Sequence, residues 1–385
     1  MKKGVFFAGV TGLLFLIGSM LLIPENASAI SAWARKEGVP CSTCHYRINR
    51  LNQTGLDYLR QGLTFNVGET KAPELALEEF GKYFSIFGEL DIFRKNKDQD
   101  YTSKVNRIAL YGGGSLGSNV SFLAETTLQP DSAEEVADLY AQYTPGKKDQ
   151  YGFIRAGQFL PMLFQAENTW EFANDASAAF ARDRRVGVSA GYNYGKVWGE
   201  IAAVKPAGDS TRNRVDAIAD AQYIFTSAGS SLGAYYWNGY FNKDATSAHF
   251  ELNPNTGNID RIAATPATKD KYTRYGAVGQ FNEIKNLLFS AGYSAGKGDS
   301  SAGGTKKVRG IFGQAEYLIF DKASVLFNVV NDDPDTSVSG DKTTTYTAAA
   351  YYWLSKYASV DARYVYKDLP VGNDNQVRLR VRFMF

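Results

Sequence analysis

From Lys82 to the end of the chain, apolar and polar residues alternate. In "YFSIFGELDIF", Phe84, Ile86, Leu90 and Ile92 fall on one face, and Ser85, Glu89 and Asp91 on the other. "VDAIADAQYIF" sets Val215, Ala217, Ala219, Ala221, Tyr223 and Phe225 against Asp216, Asp220 and Gln222. "NLLFSAGYSAG" and "ASVLFNVV" repeat the pattern through Leu287, Phe289, Ala291, Tyr293 and Ala295, and through Ala323, Val325, Phe327 and Val329. In the last segment Val377, Leu379, Val381, Phe383 and Phe385 alternate with Arg378, Arg380, Arg382 and Met384. A period of two marks a strand with one apolar face, and segments of about ten residues apolar on one side are the pattern of a membrane barrel. About sixteen such segments can be counted, an even number as bacterial barrels require.

The links between them alternate as well. "YGK" near Gly195, "TSAGS" near Gly229, "NEIK" near Glu283 and "DK" at Asp321 are short. Between them fall the longer stretches Leu160 to Asp183, Asn242 to Asp270, Asn331 to Asp341 and Lys367 to Asn375. A barrel whose first strand runs outward from the periplasm has short turns at one end and long loops at the other; a soluble sandwich has no reason for this. The expected fold is all-β: a transmembrane antiparallel β-barrel of about 16 strands over residues 82–385, a size that normally encloses an aqueous channel.

Residues 30–63 read differently. In "RINRLNQTGLDYLRQGL", Ile48, Leu51, Leu56 and Leu59 recur at near-helical spacing, interrupted by Gly55, which predicts a small helical segment. Residues 64–81 read as a linker. Residues 1–29 carry Lys2 and Lys3, an apolar run from Val5 to Ile23, and Ala27-Ser28-Ala29. The run is long enough for a membrane anchor. The A-x-A site and the lack of a basic flank favour a signal peptide cleaved after Ala29, and hence export.

Composition narrows the functional classes. A net charge of +2 gives no basic footprint for nucleic acid. Aromatics reach 14%, and the mean hydropathy is -0.29. After the signal no apolar run is long enough for a membrane helix, so any membrane crossing falls to the strands.

The candidate chemistry is in five residues. Cys41 and Cys44 are the only cysteines, and His45 is one of two histidines. The spacing C-x-x-C-H puts two thiols and an imidazole on one turn, where haem vinyl groups are captured as thioethers and the imidazole binds the iron. Buried packing does not require the histidine. A thioredoxin-like motif expects a βαβ unit, and zinc wants about four ligands. The reading is one covalently attached haem c held by Cys41, Cys44 and His45. The leading segment is too short to sheathe a porphyrin alone, so the barrel wall is expected to cover it.

For the second axial position three side chains are candidates. Met384 faces the lumen at the periplasmic end if Phe385 faces lipid. Met162 lies in the loop after the fifth strand, and His249 in a long external loop. Arg378, Arg380 and Arg382 could meet haem propionates or anions, but pairing with Glu89 and Asp91 at the barrel seam is the expectation. The acidic runs "NDDPD" (Asn331 to Asp335) and "PDSAEE" (Pro130 to Glu135) read as solvated loops, with a divalent metal site as the alternative.

The stretch "AWARKEGVPCSTCHYRINRLNQTGLDYLRQG" resembles the monohaem cytochrome–porin fusions of the bacterial outer membrane, a family that includes outer-membrane ferrous-iron oxidases. The resemblance rests on Trp33, Ala34, Arg35, Gly38, Cys41, Cys44, His45, Leu51, Asn52, Gly55, Arg60 and Gly62, and on the aromatic last residue Phe385. Trp33 replaces the more usual Phe, and Pro40 directly precedes the motif; neither disturbs haem attachment. The resemblance implies a conduit in the outer membrane lipid, with its haem segment on the periplasmic side or within the lumen. It implies electron flow from extracellular ferrous iron to a periplasmic c-type cytochrome or other carrier, a cytochrome-type ferrous-iron oxidase activity. The residues fit equally an outward flow to an external acceptor; the alternative from another class is a solute or anion porin with a haem-bearing plug.

Overall fold

The computed structural model describes residues 32–47, 50–67, 82–97, 101–117, 119–128, 135–161, 184–206, 214–243, 249–252, 259–262, 268–299, 305–319, 322–355 and 358–384. Residues 1–29, read above as a signal peptide, residues 68–81 of the expected linker 64–81, Met162, Phe385, most of "PDSAEE" and the side chain of His249 lie outside the described residues.

Sixteen antiparallel strands close into a barrel. Glu135–Tyr143 and Gly146–Lys147 are two pieces of one strand, both laddered to Gln150–Phe159. Closure is made by the last strand, Asn373–Met384, against the first, Phe84–Asn96, with Arg380 opposite Asp91 and Arg382 opposite Glu89. The links alternate as expected: Tyr194 and Val197 are joined by a tight turn, as are Ile284 and Leu287, while Phe159 and Arg185 are far apart in sequence. Two expected loops are tighter. The strands around Asn242 to Asp270 run on to Lys243 and resume at Thr268, with a small extra hairpin, His249–Leu252 with Ile259–Ile262, between them. Those around Lys367 to Asn375 run to Asp368 and resume at Asn373, because ladder bonds continue to the pair Asp368–Asn373.

The wall is inside-out relative to a soluble domain. Ile201 is 65% exposed on the outer face and Ile154 58%. Tyr143, Tyr194, Tyr223, Phe225, Tyr317 and Tyr352 are also exposed, all at the short-turn end. An apolar outer band edged by aromatics suits a hydrocarbon layer and its interface. The inner face buries Arg155, Glu200, Asp220, Gln222, Glu316, Arg380 and Arg382. The seam arginines pair as expected: Arg380 Nε lies 2.6 Å from Asp91, and Arg382 reaches Glu89 at 2.7 Å and Asp361 at 2.5 Å.

The leading segment forms a plug inside the barrel. It comprises α1 (Ala32–Glu37), a 3-10 turn (Cys41–Thr43), a minimal hairpin of β1 (His45–Arg47) and β2 (Arg50–Leu51), and α2 (Gln53–Arg60). The helical spacing of Ile48 and Leu51 was misleading, since the helix starts only at Gln53. Asn52 sets that start: its side chain accepts from Gly55 N at 3.0 Å and donates to the Ser42 and Thr43 carbonyls at 3.2 and 3.0 Å. An Asn in that position caps one of the free amides of the first turn and so fixes the register.

Plug and wall share one core. Leu56, Tyr58 and Leu63 of the plug cluster with inward-facing Leu123, Tyr140, Phe153, Trp198, Ile218, Trp237, Val278 and Phe312. The cluster reaches Val308 and Val330, well up the wall from the short turns. On this side the lumen is packed with apolar groups, unlike a water-filled pore.

Candidate functional site

Residues from opposite ends of the plug fasten it to the wall. Trp33 Nε1 donates to Gly113 O at 3.1 Å, and Arg35 to Phe84 O at 2.8 Å. Arg50 reaches Glu316 at 2.6 Å and Ser290 at 3.2 Å. Arg60 is 1% exposed; it donates to Gln222 at 2.6 Å, and its guanidinium lies 4.3 Å from the Trp198 ring. Beside it stand Glu200 and Asp220, directly opposite each other on neighbouring strands, with Arg155 3.7 Å from Glu200. Two like charges facing each other across a ladder are unfavourable alone; Arg60 and Arg155 together balance them.

Two glycines allow the fold of the plug. At Gly55 a Cβ would overlap the Cys44 carbonyl, so only glycine lets α2 lie directly on the C-x-x-C-H turn. At Gly62 the backbone takes φ +79, and a Cβ would stand 2.6 Å from Ser121 Oγ. This residue ends α2 and lets the chain pass against the wall.

Between plug and wall lies a cavity of about 1280 Å³, its open mouth included. The plug lines it with Cys41, Cys44, His45, Leu51, Tyr58 and Leu59. The wall contributes Phe87, Tyr111, Leu123 and Met384. Its polar flank is made by Arg107, Glu125, Asp138 and Arg184. Arg107 pairs with Glu125, and Arg184 bridges Glu125 at 3.3 Å and Asp138 at 3.1 Å. Arg184 stands just before Arg185–Tyr194, at the long-loop end, so the cavity extends from the plug toward that end.

The electrostatics of the plug follow from burial. Burial first, then the charges of Cys41 and Glu37, pushes the Cys44 thiol up to about 11. Near neutral pH it is a protonated thiol. Burial also raises Tyr58, whose hydroxyl donates to Glu37 at 3.1 Å, and Asp57, which accepts from Gln53 at 2.8 Å. Among the described residues no group of three or more His, Cys, Asp or Glu is placed to hold a metal ion directly. Cys41, Cys44 and His45 fall within five residues and all line the cavity, three groups where a tetrahedral zinc ion would want four, and the set that a covalently attached macrocycle needs. A largely apolar cavity lined by two cysteines and a histidine from the plug fits a covalently held porphyrin, and its polar flank is a charge-balanced set of two arginines and two carboxylates.

Cys41, Cys44, His45 and Met384 thus line the same space. The acidic run Asn331 to Asp335 is engaged in other bonds: Asp333 meets Arg309 at 3.2 Å, and Asp335 accepts from Ser337. Sequence reasoning did not find Arg50, Arg107, Glu125, Asp138, Arg184 or Trp198. The partners of Arg50 and Arg60 are 266 and 162 residues away, and no local pattern signals them.

No protein-family model and no curated protein matches the chain. Its architecture is similar to that of solved outer-membrane barrels. A loop-deletion form of OmpT from Vibrio cholerae is 13% identical, with TM-score 0.56 over 78% of this chain and 98% of that one. An anion-selective porin from Comamonas acidovorans is 14% identical, with TM-score 0.55 over 78% and 99%. OprB of Pseudomonas putida is 10% identical, with TM-score 0.52 over 86% and 96%. At such identities the likeness is one of fold: the chain has a porin-type barrel.

Proposed function

We propose that this chain is an outer-membrane electron conduit, a porin-type barrel whose lumen holds a plug bearing one covalent haem c. The observation that carries the reading is that C-x-x-C-H and Met384 line one cavity between plug and wall. The haem, when bound, supplies one-electron redox chemistry; the chain positions it and controls access. Cys41 and Cys44 anchor the group, and His45 orients it. Leu59, Phe87 and Leu123 exclude water, and Arg107 and Arg184, each already paired to a wall carboxylate, are the cationic groups of the lining. The apolar cluster that reaches Val308 and Val330 favours a conduit over an open pore. Following the resemblance of the plug motif, the donor in this proposal is extracellular ferrous iron and the acceptor a periplasmic c-type cytochrome.

A second reading is a solute or anion channel with a haem-bearing plug. The likeness to the anion-selective porin of Comamonas acidovorans supports it.

Stopped-flow absorbance separates the two. The purified, oxidised protein in detergent is mixed with ferrous iron, beside a His45→Ala control, and its conductance is recorded in a planar bilayer. Rapid appearance of the reduced haem band in the wild type alone, with a barrel that stays closed, is the expected result. A haem that dithionite reduces but iron does not, in a barrel that conducts steadily, would overturn the conduit in favour of the channel.

A further inference from the structure

The lining of the cavity has two origins: His45 belongs to the plug, whereas Phe87, Tyr111, Leu123 and Met384 belong to the wall. We propose that Met384 Sδ is the second axial ligand, completing the iron from the wall side; this rests on the haem reading above. Met384 pairs across the seam with Phe87, and both line the cavity, so its side chain points inward. The inward pairs Arg382 with Glu89 and Arg380 with Asp91, further along the same ladder, fix that direction.

The other donors among the described lining residues are committed. Glu37 accepts from Tyr58 and pairs with Lys36 at 3.3 Å. The Tyr111 hydroxyl meets Glu125 at 3.0 Å. Glu125 and Asp138 are ion-paired to Arg107 and Arg184. Ser85 offers a neutral hydroxyl, a poor partner for haem iron. Met384 brings a soft, uncharged thioether, which suits haem iron and raises the potential in a His/Met pair.

The geometry has a structural consequence. Met384 belongs to the strand that closes the barrel, and His45 belongs to the plug. Six-coordinate iron therefore forms only when the seam is closed and the plug is seated. The haem spectrum then reports assembly of the whole molecule.

The test uses full-length protein carrying Met384→Leu, which conserves volume, and Met384→His, which offers a different ligand. Covalent haem is read by in-gel haem stain, and barrel assembly by heat-modifiable migration. Coordination is read from the sulfur-to-iron charge-transfer band of the ferric form and from carbon monoxide binding to the ferrous form. Met384→Leu is expected to keep covalent haem, lose the band and bind carbon monoxide. Met384→His is expected to restore a low-spin spectrum without the band and to lower the potential. If Met384→Leu keeps the wild-type band and resists carbon monoxide, or the folded wild type lacks the band, the ligand assignment is overturned while the haem stands. A wild type without covalent haem removes the haem reading itself, a separate result on the gel.

Discussion

A buried ion pair, Arg50 to Glu316, ties the plug to the wall. The two side chains are 3% and 0% exposed, and their charged atoms are 2.6 Å apart. Arg50→Met leaves the carboxylate inside the lumen without its guanidinium. Removing one partner of a buried pair costs about 3–5 kcal/mol. Ser324 still donates to Glu316 at 2.8 Å, so the lower part of that range applies. At 1.4 kcal/mol per tenfold, the balance between seated and displaced plug shifts about 100-fold or more. Single-barrel recordings in a planar bilayer read this directly as the fraction of time in a conducting state. Protease cleavage within the plug gives an independent reading. The double variant Arg50→Met with Glu316→Leu removes both charges and is expected to close again, since apolar replacement of a buried pair is often neutral. Wild-type conductance and cleavage in Arg50→Met would refute the latch. A double variant as open as the single one would show that packing around Arg50, not its charge, holds the plug.

Gly55→Ala drives a methyl group into the Cys44 carbonyl; haem staining should fall sharply while heat-modifiable migration persists. In haem-free protein the Cys44 thiol sits at about 11, and the thiolate is the species that alkylates. Its iodoacetamide labelling, followed by peptide mass spectrometry, should be slow at pH 8 and rise about tenfold per pH unit toward that value. A plateau below pH 9 would contradict the burial argument. Arg382→Met removes the ion pair of Asp361 and leaves Glu89 to Arg380 alone, and should cost about 3–5 kcal/mol. The temperature at which the barrel loses its compact gel migration should drop, and Arg382→Lys should recover part of it.

Period-two alternation made the barrel legible because the wall has a solvent of its own on each side. Val215, Ala217, Ala219, Ala221 and Tyr223 could be assigned outward from their partners Asp216, Asp220 and Gln222 alone, and burial follows that pattern. The seam could be read in the same way, from Arg380 and Arg382 against Glu89 and Asp91. The plug was less legible. Ile48 and Leu51 mimic a helical period, but Asn52 caps the helix after them, and Arg50 turns into the lumen to meet Glu316. Gly55 looked like an interruption of a helix, yet it is a close-contact residue inside one.

One signal was present and carries more than the alternation itself. Ile218 occupies an inward position between Asp216 and Asp220, and it is 3% exposed. Trp198, Trp237, Val278 and Phe312 are likewise inward and buried. In an aqueous channel these side chains would face water, at about 25 cal/mol for each Å² of apolar surface. Their place in the wall makes sense only if something apolar meets them, and Leu56, Tyr58 and Leu63 of the plug do so. The wall sequence therefore encodes a filled lumen. The same logic sets the order of events in the molecule: displacing the plug breaks the Arg50 and Arg60 contacts, uncovers part of the apolar core, and opens the cavity shared by His45 and Met384 in a single step. Channel opening and loss of the axial pair should therefore coincide in any variant that releases the plug, and conductance and haem spectrum recorded on the same Arg50→Met protein would show whether they do.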